Sequence, residues 1–108
     1  VTDKIIVFVT AGKITEARRI ARVLVEKRLA ACVNIIPKIS SVYRWRDRVQ
    51  RDDEVLLIIK TRRSRFDALR RSIESLHSYE VPEIIAAPII DGSINYLNWI
   101  EQSVPDAL

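Results

Sequence analysis

The chain has one cysteine, one histidine, two glycines and no methionine among 108 residues. A lone Cys32 excludes an intrachain disulfide and fits a reducing compartment, the cytoplasm. One Cys and one His cannot supply the four nitrogen or sulfur ligands of a structural zinc site. Two glycines leave no Gly-rich phosphate loop, and no serine has a second histidine to activate it, so no enzyme is expected. No apolar run approaches the roughly 18 residues of a membrane span; the strongest are Ile5–Val9 and Val55–Ile59. The N-terminus lacks a signal-peptide pattern, while the missing Met leaves open that a segment was removed.

What the chain does contain describes one folded domain over residues 1–108. Apolar residues make up 48% and charged ones 30%, a balance that excludes disorder and low complexity. The net charge is +4, with eighteen Lys and Arg against fourteen Asp and Glu. Arginines are densest at Arg44, Arg46, Arg48 and Arg51, then at Arg62, Arg63, Arg65, Arg70 and Arg71. They read as solvated faces of a hairpin and a helix, and they permit acidic partners without requiring them.

The hydrophobic period changes along the chain. Ile5–Val9 is β-branched and aromatic and ends at Gly12, a buried strand. From a Thr15 cap, Ala17, Ile20, Ala21 and Leu24 follow helical spacing. Cys32–Ile36 is a second strand, interrupted by Pro37 at an edge or bulge and resuming from Ile39 to Trp45. A turn at Arg46-Asp47-Arg48 leads back to a third strand, Val55–Ile59, whose acidic lead-in Asp52-Asp53-Glu54 reads as exposed. Ser64-Arg65-Phe66-Asp67 matches a capping box before the helix of Phe66, Leu69, Ile73 and Leu76. Ile84–Ala87 and Ile89–Ile90, split by Pro88, form a fourth strand at an edge. Gly92-Ser93 opens a short helix with Ile94, Leu97 and Ile100 on its apolar side.

This order is β-α-β-β-α-β with an added C-terminal helix, an α+β, ferredoxin-like split-βαβ plan with a long hairpin. Two features ask for more than one copy. The Cys32–Trp45 strand would span about 45 Å if extended, and carries apolar side chains beyond the domain. Val55–Ile59 is apolar on both faces, although helices cover one face only. An obligate oligomer follows. The fold is shared with RNA-binding modules, but the central strands lack the aromatics those need, so nucleic acid is not an expected partner; nor is a membrane.

Cys32 is either a small core residue or a soft metal ligand. His77, in His77-Ser78-Tyr79-Glu80-Val81-Pro82-Glu83, is either a helix-end histidine favoured by the dipole or a ligand beside carboxylates. Lys60 and Tyr79 adjoin the same polar region as candidate cleft residues.

Four blocks in this order resemble the CutA divalent-cation tolerance proteins over residues 4–101. They are Glu26–Asn34, Glu54–Thr61, Tyr79–Ile84 and Tyr96–Ile100. The resemblance implies a homotrimer similar to that of PII-type signalling proteins, with copper or another divalent cation as ligand. It also implies a copper site of one cysteine and a His-His pair; here those positions hold Val9, Leu76 and His77, so only His77 survives. Any metal then recruits Cys32, Glu80 or a neighbouring subunit. The alternative is a trimeric sensor or scaffold that binds a small anion or a partner protein without metal. Ser78 replaces a common proline and Asp47 a hairpin glycine.

Overall fold

The computed structural model describes residues 2–106; Val1, Ala107 and Leu108 of the expected domain lie outside the described residues. Strands β1 (Lys4–Ala11), β2 (Cys32–Trp45), β3 (Arg48–Arg62) and β4 (Ile84–Pro88) pair antiparallel in the order β2-β3-β1-β4. Helices α1 (Ile14–Glu26) and α2 (Phe66–Leu76) pack on one face, and α3 (Ile94–Ser103) follows β4. This is the expected split-βαβ plan.

Alternation along the strands decides the core. Ile5, Val7, Val9, Val55, Leu57 and Ile59 are buried with Ala17, Ile20, Leu24, Leu69 and Ile73. Ile6, Phe8, Leu56 and Ile58 point to the other face and are half-buried. In a single chain the two faces of β3 are therefore unequal, with the open one still apolar.

The two expected helix caps do not form. The first bond of α1 runs from the Ala17 amide to the Lys13 carbonyl at 3.0 Å, so Lys13 is the cap and Thr15 lies within the first turn. Ser64 sits in a 3-10 turn, Arg63–Arg65, and α2 starts after it without a side-chain cap. Asp67 instead falls in the first turn of α2, where a negative charge complements the helix dipole. Ile89 and Ile90 lie outside β4, although the Ile89 amide still donates to the Lys4 carbonyl at 3.0 Å. Pro88 ends β4 on the sheet edge, where its missing donor costs no ladder bond.

The end of α1 is a Schellman turn with an unusual occupant. Leu29 N–H bonds Leu24 C=O at 2.9 Å and Arg28 N–H bonds Val25 C=O at 3.1 Å, with Arg28 at φ 58°. Glycine is the common residue there because a Cβ is strained in left-handed backbone. Arg28→Gly is expected to stabilise the fold by about 1 kcal/mol, read as a higher urea midpoint at unchanged slope.

The hairpin turn uses the same conformation twice, at Arg46 (φ 51°) and Asp47 (φ 63°), between the closing pair Trp45 and Arg48. Two left-handed residues make a type I′ turn, whose twist suits a two-residue hairpin. A bulge at Pro37-Lys38 interrupts the ladder, so that Ile36 faces Leu56 while Ile39 faces Glu54. The hairpin gives the molecule a long axis of 43 Å against 25 and 22 Å. Its tip leaves Val42 and Val49 69% and 68% exposed.

Helix α3 buries Ile100, and with Val104 it packs on Ala31 and Ile89. Leu97 is half-buried and Ile94 is exposed, so the expected apolar stripe is shorter than its sequence suggests. Ionic contacts fasten this helix. The buried Lys4 ammonium bonds Asp3 and reaches Glu101 Oε1 at 2.9 Å, while Arg62 reaches Asp3 at 3.2 Å and the Val104 carbonyl at 3.4 Å. Burial alone would pull the Lys4 pKa down, but the Asp3 and Glu101 carboxylates outweigh it and leave it raised.

Candidate functional site

A groove of about 710 Å³ opens between the far half of the hairpin and the segment after α2. Ser41, Tyr43 and Trp45 of β2 reach it on the face they share with Glu54 of β3. The bulge makes this possible, because it places these odd-numbered β2 residues opposite even-numbered β3 residues. Tyr79, Glu80, Val81 and Glu83 form the other wall.

His77 holds that wall to the sheet. Its imidazole is 0% exposed. Nε2 lies 2.7 Å from the Thr10 carbonyl, and Nδ1 accepts the Tyr79 amide at 3.0 Å. The pattern assigns a neutral ring with its proton on Nε2. Both nitrogens are occupied, so coordination by His77 requires that one of these bonds be given up. Glu16 secures the next residue, accepting from Ser78 N–H at 3.0 Å and from Ser78 Oγ at 3.1 Å. A proline at position 78 would offer neither donor.

Tyr79 lies over Gly12, where a Cβ would come within 3.1 Å of the phenol oxygen. Its hydroxyl donates to Glu54 Oε2 at 2.8 Å. Desolvation, then the hydrogen bond to the Glu54 carboxylate, raises the Tyr79 pKa far above that of free tyrosine, so the phenol stays neutral and donating. Tyr43 is tethered in the same way to Asp52, which also raises its pKa.

Glu83 is pushed upward by desolvation and then by the charge on Glu54. A carboxyl with a raised native pKa adds stability when protonated, and that contribution is lost as pH rises through the native value. Glu83→Gln is therefore expected to raise the thermal midpoint at pH 7. The gain should vanish as pH falls below the ordinary carboxylate range, in a melting series from pH 3.5 to 7.

The other expected site residues stand apart from the groove. Cys32 and Lys60 face each other across β2 and β3. Lys60 is six residues from Glu54, roughly 20 Å along the strand. The Lys60 ammonium bonds Asn34 Oδ1, and the half-buried Cys32 thiol lies 3.9 Å from the same oxygen. Tyr79 and Glu80 line the groove, and the His77 ring packs against Tyr79 with centroids 4.7 Å apart. Cys32, His77 and Glu80 are not brought together, and no group of three or more His, Cys, Asp or Glu side chains gathers around one point among the described residues. Val9 is fully buried in the core and Leu76 packs against it, so aliphatic side chains fill the two remaining copper-ligand positions that the resemblance implied.

Sequence reasoning missed Glu54, read there as part of an exposed strand entry. Its signal was the alternation running back from Val55–Ile59, which continues through Glu54 only if the strand is extended past its apolar stretch. No helix among the described residues is long and apolar enough to cross a membrane.

Comparison with known proteins agrees with this architecture. A protein named Protein CutA homolog, from Xenopus laevis, is 50% identical over 99 residues, covering 92% of this chain and 66% of that protein. The Divalent-cation tolerance protein CutA of Thermus thermophilus is 46% identical over 98 residues, covering 91% of this chain and 95% of its own length. The chain thus spans just under two thirds of the frog relative and nearly all of the bacterial one. Among solved structures, CutA1 from Oryza sativa superposes with a TM-score of 0.93 at 46% identity, covering 96% of this chain and 95% of the other. The Thermus thermophilus structure, described as a divalent cation tolerance protein, gives 0.92 at 44%, covering 94% of this chain and 99% of its own. Residues 5–103 match the family described as CutA1 divalent ion tolerance protein, and the chain belongs to that family.

Proposed function

We propose that this chain works as a cytoplasmic homotrimer in divalent-cation tolerance, holding copper or a similar ion weakly at positions shared between subunits. The family match over residues 5–103 carries this reading. The structure shapes it in two ways. An apolar open face and a hairpin tip with exposed Val42, Tyr43, Trp45 and Val49 offer surface for neighbouring copies. The candidate ligands lie apart in one chain, which favours a site completed across a subunit boundary. Glu80 is the most accessible of them, with its side chain 73% exposed. Cys32 supplies the soft donor that Cu(I) prefers, and His77 joins only by releasing the Tyr79 amide or the Thr10 carbonyl. The protein is read as a binding and tolerance factor rather than an enzyme.

The alternative, a PII-like sensor for a small anion, draws on the arginine surplus. Within the groove the wall residues favour the cation, since Glu54, Glu80 and Glu83 line it, with Arg46 at the rim beside Glu80.

Native mass spectrometry of metal-stripped protein titrated with Cu(I), Cu(II) and Zn(II) tests the proposal. A trimer is expected, with a fixed metal number at low micromolar concentration. Cys32→Ser should remove most Cu(I) uptake and Glu80→Ala should reduce Cu(II) uptake. Trimers that take up metal only without fixed stoichiometry, or variants that bind like the parent, would reject the metal reading. A monomer would reject the assembly.

A further inference from the structure

The charge of this molecule is concentrated on one helix. Residues 13–28 hold six cations, Lys13, Arg18, Arg19, Arg22, Lys27 and Arg28, against Glu16 and Glu26. That surplus of four equals the net charge of the whole chain, so the rest of the sequence sums to zero. All six cations are exposed. Glu16 is turned inward to Ser78, with its side chain 17% exposed, which leaves Glu26 as the exposed acid of this stretch. Glu26 pairs with Arg22 at 3.7 Å, a contact in open solvent that neutralises little of the row. Among the described residues the other five cations have no carboxylate partner.

Arg28 adds an independent observation. It holds left-handed backbone, φ 58°, at the Schellman position where glycine is the unstrained residue. The chain keeps a cation there at a cost in stability, which points to a side chain retained for what it contacts. The row is also free of the surfaces offered to neighbouring copies. Ala17, Ile20 and Leu24 turn the opposite side of α1 into the core, so an assembly that buries the open sheet face leaves these cations outward.

The row discriminates among polyanions. Residues 13–28 include no aromatic side chain on which a nucleic-acid base could stack. Val25 is the exposed large apolar residue of α1, too little to anchor the helix in a bilayer. Glu26 interrupts the row, and a continuous phosphate chain would meet it as a like charge, whereas a peptide can set a neutral residue there. The arginine fork pairs with a carboxylate through two hydrogen bonds. Helix α1 is about 20 Å long, the reach of roughly six extended residues.

We propose that the outer face of α1 is a docking site for an acidic segment of a partner protein. The segment lies extended along the helix, its carboxylates pairing with Arg18 and Arg22, one turn apart, and with Arg28 at the far end. This inference stands independently of metal binding, and its test is run with a chelator present.

The probes are acetyl-hexaglutamate amide and acetyl-hexaglutamine amide, equal in length and different in charge. Titration of the isotopically labelled full-length protein in EDTA at low ionic strength, followed by NMR, should shift amides within 13–28. Hexaglutamine should bind at least tenfold more weakly. Arg18→Gln with Arg22→Gln should weaken hexaglutamate at least fivefold. Arg70→Gln with Arg71→Gln removes the same charge from α2 and should weaken it less than twofold. Arg28→Gly should weaken it two- to threefold while raising the urea midpoint, so that binding and stability move in opposite directions. Hexathymidylate and phosphatidylglycerol vesicles are run alongside, and stronger binding of either would assign the face to that anion and overturn the proposal. Equal binding of hexaglutamine, shifts confined to other surfaces, an α2 variant as weak as the α1 variant, or Arg28→Gly binding like the parent would overturn it too.

Discussion

Ile59→Ala is expected to lower the unfolding free energy by about 3–4 kcal/mol, the largest single-residue effect anticipated in this chain. Ile59 is fully buried on β3, between Val7 of β1 and Val33 of β2. Truncation removes apolar contact and leaves a cavity that strands held on both sides cannot close. Equilibrium urea denaturation at fixed protein concentration reads the loss. Its neighbour Ile58 provides the control, because it points to the open face and is half-buried in one chain. In an isolated subunit Ile58→Ala should cost less than half as much. In an assembly that covers the open face, the two losses should approach each other. Near-parent stability of Ile59→Ala would refute the core assignment.

His77→Ala is expected to cost about 2–4 kcal/mol in metal-free protein, because two backbone groups lose their partner together. The Thr10 carbonyl and the Tyr79 amide both bond to this ring, which has no exposed surface. The loss should persist in EDTA, which separates a fastening histidine from one that acts only through metal. His77→Gln retains a donor and an acceptor and should recover part of the stability. Unchanged stability of His77→Ala in EDTA would show that the two bonds carry no weight. Removing the ring should also loosen Tyr79 from Glu54, visible as quicker hydrogen exchange across residues 79–83.

Much of this molecule is legible from its residues. Strand positions follow from β-branched runs, Pro88 marks an edge, and the length of the hairpin follows from the stretch between Cys32 and Trp45. These signals are local and repeated. The helix starts are less legible, since Thr15 and Ser64 are good capping residues placed one or two positions away from where the backbone bonds begin. A cap is decided by a single carbonyl, and packing of Ile20 and Leu24, or of Leu69 and Ile73, sets the helix phase first. The left-handed Arg28 gives no hint in composition, because arginine is not the residue that this conformation selects. The roles of His77 and Glu54 depend on partners 67 and 25 residues away in sequence, and no spacing rule spans those separations.

The bulge at Pro37-Lys38 also bears on how this sequence can change its length. Side chains alternate with a period of two, so one added residue would reverse every later side chain unless a bulge absorbs it, as happens here. Deleting Lys38 alone would remove the bulge and leave a regular ladder, with Ile36 opposite Leu56, Pro37 opposite Val55 and Ile39 still opposite Glu54. Tyr43 and Trp45 would keep their side of the ribbon. A deletion of two residues there would put the distal part of β2 one position out of step with β3 and turn Tyr43 and Trp45 away from Glu54. Loss of a single residue in this stretch should therefore be accepted, and loss of two rejected.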